Sequence, residues 1–404
     1  VFVERAERRY TYWLSAPCSP SRVTLVLDNQ VTGASSRIAL AVHGSSTAES
    51  PLSPALPPVG NVPSFVAGQL SPHPWDFTPV ERGETVHLGP GLVQIDKTRI
   101  FSPHQRVEIA AGTRIEMGAG ASLVFHGRVT GIGTEGQPIA VVAALSAAPF
   151  GGIALQGQHT AGSHLAYWRV EGGAGIGDIG AHYSGLFSIR DTRDIEIENA
   201  DFSAAAGAED VLHATYVEDL RLREIHILNA PVDAVDVEFS QGEILGLRVS
   251  GAGDDCLDLM WAHLRLADSV LERCTQHAIS AGEESDISAH GLFISDSETG
   301  VLAKNASRAH IARSFIYRTT TALKTKRRDV HYTGQSSISA NELFAEDCDK
   351  AIDAAPATRI EAYQVQRARP AQGALDHLVQ QVLGLPDWRS FDRYIASLDK
   401  KVLP

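Results

Sequence analysis

The chain has 404 residues, 44% of them hydrophobic, which is enough apolar material to bury a substantial core. Its net charge of −13 at pH 7 argues against nucleic acid or an anionic membrane surface as a partner. The sequence contains no run of eighteen apolar residues, so no membrane-spanning helix is predicted. Because the first residue is Val1 rather than Met, we expect a leader to have been removed and the protein to be secreted, periplasmic or part of the cell envelope.

The first fifty residues contain two segments of alternating apolar pattern, at 24–27 and 38–42, and a proline-rich stretch follows at 51–63. Alternation is typical of strands, and clustered prolines are typical of linkers. The sequence therefore predicts a small β-rich N-terminal unit with its linker over residues 1–60.

From about residue 100 onward, short apolar strands alternate with glycine-containing turns. A largely apolar triplet at positions i, i+3 and i+5 then recurs, and its first members are separated by 25, 22, 22, 23, 22 and 29 residues. The triplets are Ile197/Ala200/Phe202, Leu222/Ile225/Ile227, Ile244/Leu247/Val249, Leu266/Ser269/Leu271, Ala289/Leu292/Ile294, Ile311/Ser314/Ile316 and Ala340/Leu343/Ala345.

A period near 22 with strands this short excludes βαβ units, and the signature of leucine-rich repeats is absent. Each repeat is therefore interpreted as one coil of a solenoid, with successive coils about 4.8 Å apart. The predicted fold class is all-β, a single right-handed parallel β-helix over residues 61–368. An open solenoid end needs a cover, and helical spacing of apolar residues after position 374 predicts a C-terminal helical cap over 369–404.

The four cysteines are Cys18, Cys256, Cys274 and Cys348, and their spacing matches no metal-binding motif. Four cysteines in a chain of this length do not make a disulfide framework. We therefore expect isolated buried thiols.

A second set of residues keeps step with the repeat, in four-residue segments that begin at Asp210, Asp233, Asp255, His277 and Gly300. A single Asp in a turn commonly caps backbone amides. Several carboxylates stacked about 5 Å apart repel one another, so their arrangement costs free energy unless a cation or a catalytic role compensates. The fourth positions of these segments are His213, Asp236, Asp258, Ser280 and Ala303.

The segment 253–259, Gly-Asp-Asp-Cys-Leu-Asp-Leu, resembles the calcium-binding motif of a calcium-dependent pectate lyase family within the pectate-lyase-type β-helix superfamily. The resemblance spans the repeat region and implies bound Ca²⁺. In that family a lysine on a later coil is the base, and Ser280 stands at the equivalent position here. The implied calcium ligands are Asp254, Asp255 and Asp258, with Asp233 or Asp236 from the preceding coil.

The same stretch is similar to the Asn-Thr-Asp-Gly, Asp-Asp-Cys, Gly-His-Gly and Arg-Ile-Lys motifs of polygalacturonases. The matching segments are Pro231-Val232-Asp233-Ala234, Asp254-Asp255-Cys256, Gln276-His277-Ala278 and Leu302-Ala303-Lys304. This resemblance implies that Asp254 is the general acid, that Asp233 and Asp255 hold the attacking water, and that His277 and Lys304 serve the site. Leu302 stands where that family has arginine.

Both resemblances imply a polysaccharide substrate but different chemistry. In a lyase, His277, Lys304 or Lys324 would remove the proton that Ca²⁺ acidifies. In an inverting hydrolase, a protonated carboxyl and a water-activating carboxylate stand about 6.5–9.5 Å apart. Asp210, His213 and Lys324 are expected to bind substrate.

We expect a polysaccharide-cleaving enzyme, with calcium-assisted β-elimination of an acidic (uronate) polysaccharide favoured over inverting hydrolysis. The alternative from another class is a noncatalytic carbohydrate-binding or cell-surface β-helix protein whose Asp column only holds calcium.

Overall fold

The computed structural model describes residues 22–28, 35–41, 83–144, 148–176, 183–204, 207–327, 332, 334–367, 369, 371 and 373–399. The chain divides into two compact units, Val1–Asp76 and Phe77–Pro404. In the first unit, strands Arg22–Asp28 and Ser35–Ala41 pair antiparallel, as the alternating pattern predicts. The predicted proline-rich linker and the predicted boundary at residue 60 lie outside the described residues.

The second unit is a parallel β-helix of about 12 coils, which confirms the predicted fold class. Strands of successive coils pair in parallel and build three sheets that run the length of the solenoid. The first sheet contains Arg99–Phe101, Leu123–Phe125, Ile153–Gln156, Asp233–Glu238, Leu257–Met260, His277–Gly282, Thr299–Lys304, Thr321–Lys326 and Lys350–Ala354. The second contains Thr85–Leu88, Arg106–Ile109, Val129–Ile132, His164–Ala166, Gln241–Leu245, His263–Ala267 and Asp286–His290. The third contains Gly91–Ile95, Thr113–Met117, Ile139–Ala143, Trp168–Glu171, Arg248–Ala252, Val270–Cys274 and Phe293–Ser295.

Longer strands turn the corners of the solenoid without interruption. Gly185–Ser203 and Asp210–Ala230 pass through all three sheets. Arg308–Tyr317, Ser337–Glu346 and Arg359–Gln366 pass through the second and third. In an early coil, a short 3-10 turn, Gln158–Thr160, lies between the first-sheet and second-sheet strands.

The apolar triplets that define the sequence period form interior columns. Leu222 pairs with Ile244, and Ile227 pairs with Val249, in adjacent strands. The middle members Ile225, Leu247 and Leu292 are fully buried in the same core cluster, as predicted. The 22-residue period therefore records the length of one coil.

Residues in the left-handed conformation lie at corners of the solenoid. After the first sheet, φ is 56° at Tyr216, 48° at Phe239 and 54° at Trp261. This conformation costs an L residue about 1–2 kcal/mol. Stacking of successive rings offsets part of the cost, with centroid separations of 4.8 Å and 6.2 Å along the column. Ser240, which follows Phe239, is buried, and its Oγ accepts a hydrogen bond from the Val217 amide at 2.8 Å, which satisfies a buried donor of the previous coil.

A C-terminal helix is present, as predicted, but it covers a side of the solenoid rather than its open end. The π-helical turn Leu378–Val382 and the α-helix Trp388–Asp399, here called α1, bury apolar residues against the outer face of the third sheet. The covered residues are Val270, Phe293, Phe315, Tyr317 and Phe344. These outward-facing side chains are apolar and therefore need to be covered. The charged side chains on neighbouring faces need no such cover. No helix in the described ranges is long and apolar enough to cross a membrane.

The cysteine prediction is wrong for two residues. Cys256 and Cys274 form a disulfide, with their Cα atoms 5.4 Å apart and both side chains fully buried. Cys256 immediately precedes the first-sheet strand Leu257–Met260, and Cys274 ends the third-sheet strand of the same coil, so the solenoid brings them together although 18 positions separate them. Cys348 is a free buried thiol, as expected. Cys18 lies outside the described residues.

The interior column predicts the effect of a buried charge. Leu247→Asp should bury an unpaired carboxylate at a fully buried site and cost several kcal/mol, enough to unfold the protein. Leu228→Asp is the matched control, because Leu228 is 54% exposed on the third sheet. Circular dichroism during urea titration checks both variants. Wild-type stability of Leu247→Asp would contradict the interior placement.

Candidate functional site

The acidic segments lie in register on the outer side of the first sheet. Asp210 pairs with Asp233 on the next coil. The Asp255 amide donates to Asp233 Oδ1 at 2.7 Å, and the His277 amide donates to Asp255 Oδ1 at 2.9 Å. The structure therefore brings these four side chains together in one column, which we call the first column.

A second column runs beside the first, three residues further along each strand. Its members are His213, Asp236, Asp258 and Ser280, each the register partner of the next. The predicted start of the following segment, Gly300, is one residue too late, because His277 pairs with Thr299 and Ser280 with Leu302. The glycine is the second residue of its strand, and sequence spacing alone does not reveal that offset.

The hydrogen bonds of the first column use one oxygen of each aspartate and fix the imidazole of His277. Asp255 Oδ1 is 2.7 Å from His277 Nδ1 as well as accepting the backbone amide. This bond orients the ring. Asp254, next to Asp255, is different, because its Oδ1 is buried and has no hydrogen-bond partner among the described residues.

Burial and mutual repulsion change the acidity of these carboxyls. Burial is the largest cause that raises the pKa of Asp233, to about 7, and neighbouring carboxylates add to it. The pKa of Asp236 is raised well above its ordinary value, by burial first and by neighbouring carboxylates second. Burial also raises the pKa of Asp210, Asp254 and Asp258. The columns therefore retain protons that ordinary carboxyls release, and a cation would have to displace those protons.

His213 lies between two hydroxyl groups. Ser184 Oγ is 2.7 Å from His213 Nδ1 and 2.5 Å from Asp210 Oδ2. On the other side of the ring, Thr215 Oγ1 is 2.7 Å from Nε2, and Glu238 Oε2 is 3.5 Å from the same nitrogen. Both ring nitrogens thus have partners that can donate or accept a proton.

Lys304 reaches the second column because residue 282 has no side chain. A Cβ atom at Gly282 would lie 2.6 Å from Lys304 Cε. The lysine charge opposes the effect of burial on the pKa of Asp258. Lys324 lies on the next coil after Lys304, and its Nζ is 3.6 Å from Glu298 Oε1, so it belongs to a separate ion pair.

Sequence reasoning missed four residues of the site. Thr215 and Glu238 follow His213 and Asp236 by two positions, and period-2 alternation along a strand places them on the same face. Gly282 follows Ser280 in the same way. Ser184, which precedes the strand Gly185–Ser203 on the preceding coil, carries no sequence signal that points to Asp210.

Among the described residues, three groups of histidine or carboxylate side chains could hold a metal ion. In each group, one potential ligand atom per residue lies within 4.8 Å of the others. Asp233, Asp254 and Asp255 form the three-carboxylate group, Asp210, His213 and Asp236 form the histidine group, and His164, Glu196 and Glu198 form a set on the second sheet. The three-carboxylate group fits Ca²⁺, because it offers only oxygen and leaves a buried Asp254 oxygen without a partner.

No family model matches the chain, and no curated protein matches it. Similar solved structures include an alginate lyase from Paenibacillus sp. str. FPU-7, with 10% identity over 65% of this chain and 92% of that one, at a TM-score of 0.39. The periplasmic alginate epimerase AlgG has 10% identity over 70% of this chain and 84% of its own, at a TM-score of 0.41. The catalytic unit of a GH87 alpha-1,3-glucanase from Streptomyces thermodiastaticus strain HF3-3 has 9% identity over 71% and 64%, at 0.33. These values are too low to transfer an activity.

The raised pKa of Asp233 predicts how stability depends on pH. The folded protein holds this proton up to about pH 7, whereas the unfolded chain releases it near 3.8, so the stability it contributes is lost as pH rises through that range. We expect Asp233→Asn, whose amide oxygen still accepts the Asp255 amide, to melt about 2–4 °C above wild type at pH 8 in EDTA, the shift for about 1 kcal/mol. At pH 4 the difference should vanish.

Thermal unfolding at both pH values checks this prediction, with the exposed Glu218→Gln as a control for charge removal. A lower melting temperature of Asp233→Asn at pH 8 would show that the first column is a structural hydrogen-bond ladder.

Proposed function

We propose that the outer face of the first sheet binds an acidic polysaccharide and cleaves it by calcium-assisted β-elimination. The observation that carries the proposal is the three-carboxylate group, which converges directly beside a histidine that Asp255 orients. A lyase of uronate polymers needs a cation for the substrate carboxylate and a base at the adjacent carbon. Here the carboxylates that could hold the cation and the histidine that could act as the base lie on neighbouring coils.

Calcium is supported by the donor set. The second oxygens of Asp233 and Asp255 lie outside the capping hydrogen bonds, and Asp254 Oδ1 is buried without a partner in the described ranges. Like charges this close favour a bound cation over three ionised carboxylates. When bound, Ca²⁺ would neutralise the substrate carboxylate and acidify the neighbouring C–H bond.

His277 is the base that the contacts favour. Its Nδ1 is held by Asp255, which directs Nε2 away from that carboxylate. The Lys304 charge opposes the effect of burial on the pKa of Asp258, and Lys324 pairs with Glu298. A neutral imidazole accepts a proton near neutral pH, whereas a lysine would first need a strongly lowered pKa.

Inverting hydrolysis is the second candidate, and the raised pKa values favour it. A carboxyl that keeps its proton near neutral pH is what a general acid requires, and the pKa of Asp254 is raised by burial. In that mechanism Asp254 would protonate the leaving oxygen, Asp233 and Asp255 would hold the water, and His277 and Lys304 would serve the site. The spacing counts against it, because one oxygen of each of these carboxylates lies within 4.8 Å of the others, closer than the separation of about 6.5–9.5 Å that inversion requires.

The effect of calcium removal separates these mechanisms. We expect EDTA to abolish the formation of unsaturated uronate products, measured by ultraviolet absorbance on a panel of polyuronates, and Ca²⁺ to restore it. Asp254→Asn should weaken calcium binding about tenfold or more, and its activity should return at high calcium. Glu218→Gln is the control for loss of a surface charge.

Reducing ends without absorbance, unaffected by EDTA, would replace the lyase by the hydrolase. In that case Asp254→Asn should lower kcat at every calcium concentration. Calcium binding without any product across neutral and acidic polysaccharides would identify a noncatalytic binding protein.

The base assignment makes a separate prediction. His277→Gln should lower kcat by roughly 10²–10⁴, the usual contribution of a general base, and leave calcium affinity unchanged. The limb of the kcat–pH profile that reports imidazole deprotonation should disappear. His226→Gln, which changes a partly exposed histidine paired with Asp201 on the third sheet, is the control. An unchanged pH profile in His277→Gln would assign the base to another residue.

A further inference from the structure

The histidine group lies one coil before the three-carboxylate group and differs from it chemically. His213 and Asp236 are register partners on adjacent strands, and Asp210 precedes His213 by three residues. One potential ligand atom from each of the three lies within 4.8 Å of the other two. The group therefore offers two carboxylates and one imidazole nitrogen to a single position.

A buried atom points to a ligand independently of this clustering. Asp236 Oδ1 is shielded from solvent and has no hydrogen-bond partner among the described residues. The strongest charge effects on Asp236 come from carboxylates, led by Asp210 and Glu238, and all raise its pKa. Asp258 on the next coil differs, because the Lys304 charge acts on it. A buried carboxylate that faces mainly other carboxylates costs free energy unless a proton or a cation neutralises it.

The imidazole decides which metals suit this position. Calcium takes oxygen ligands, whereas imidazole with carboxylates suits Zn²⁺, Mn²⁺ and other divalent transition metals. Ligands of one tetrahedral metal at about 2.1 Å lie about 3.4 Å apart. His213 Nδ1 is 3.7 Å from Asp210 Oδ2, and Nε2 is 3.8 Å from Asp236 Oδ2, so a metal on either nitrogen would have one carboxylate close to ligand spacing. The other carboxylate would have to move further, from within the 4.8 Å that joins one ligand atom of each residue.

The hydroxyl groups beside the ring supply the outer contacts that a metal-binding histidine uses. Ser184 Oγ contacts both Nδ1 and Asp210, and Thr215 Oγ1 contacts Nε2. A hydroxyl can accept from the nitrogen that keeps its proton and rotate away from the nitrogen that binds the metal. Hydrogen bonds of this kind fix the tautomer and the ring orientation of metal ligands.

We propose that Asp210, His213 and Asp236 form a binding site for a divalent transition metal, of the Zn²⁺ or Mn²⁺ type, separate from the three-carboxylate group. The site does not depend on polysaccharide cleavage, because its residues, charges and burial define it whatever the neighbouring coil does. A metal bound there would add positive charge at the end of the acidic columns that Lys304 does not reach.

The set on the second sheet is a natural comparison and does not carry the same inference. His164 Nε2 is 3.0 Å from Glu198, but Arg223 donates to Glu196 at 2.8 Å and supplies the positive charge there. All three ligand candidates are partly exposed. A metal at this place would have to displace a guanidinium.

Titration of the metal-stripped full chain tests the proposal without any assay of activity. Isothermal titration with Zn²⁺ alone should show one high-affinity site per chain, and Co²⁺ alone should develop ligand-field absorption in the visible range. His213→Gln and Asp236→Asn should each weaken Zn²⁺ binding by 10-fold or more and abolish the Co²⁺ spectrum. His164→Gln and Asp254→Asn should leave both unchanged. Circular dichroism verifies that each variant is folded, and the conservative Asp236→Asn keeps the test open if His213→Gln does not fold.

The proposal would be overturned by the lack of a high-affinity Zn²⁺ site in the wild type, by unchanged binding in both His213→Gln and Asp236→Asn, or by loss of Zn²⁺ binding in His164→Gln. Loss of Zn²⁺ binding in Asp254→Asn would also overturn it, because it would place the metal in the three-carboxylate group. Calcium titration of the same variants distinguishes failure of the transition-metal proposal from failure of the lyase proposal. Asp254→Asn should weaken calcium binding, whereas His213→Gln should not.

Discussion

The strict register between coils is the constraint on which the rest of the structure depends. Parallel backbone hydrogen bonds hold each residue directly over its counterpart about 4.8 Å away, so a side chain at one position of the coil meets the same position of the next coil. Inside the solenoid this stacking produces continuous apolar columns. At the corners it stacks aromatic rings and aligns the serines that satisfy buried amides. A sequence change at one coil is therefore felt mainly by two neighbours.

On the outer face of the first sheet, the same stacking raises the free energy instead of lowering it. Apolar residues gain contact when they stack, but carboxylates repel, and burial makes their charged forms costlier still. The protein meets this cost differently along the columns. Backbone amides cap Asp233 and Asp255, Lys304 acts on Asp258, and Asp236 is left with hydroxyl, imidazole and carboxylate neighbours. Among the described residues, Asp236, Asp254 and Asp258 each keep one buried oxygen without a hydrogen-bond partner.

The sequence allowed much of this to be predicted because the repeat is local information. The period, the parallel solenoid and the acidic column all follow from residues about 22 positions apart. What escaped prediction depends on side chains that reach across coils or on the outer shape of the solenoid. The reach of Lys304 over Gly282 requires knowing that residue 282 faces outward, the disulfide requires the path of a whole coil, and Ser184 approaches from a coil without the acidic pattern. Helical spacing located the turn Leu378–Val382 but could not say that it would pack against the apolar outer face of the third sheet rather than the open end.

The core also contributes to the geometry of the site through Cys256 and Cys274. Cys256 follows Asp255, and its amide donates to the carbonyl of His277 at 3.0 Å, while its sulfur is bonded to Cys274, three residues before that histidine. The disulfide therefore links the coil that carries Asp255 to the start of the coil that carries His277. An imidazole held by a carboxylate acts as a base only if the spacing of the two is maintained when substrate binds. Backbone pairing sets that spacing, and the covalent link beneath it limits the separation of the two coils, so the Asp255–His277 pair rests on a part of the solenoid that is tied from the inside.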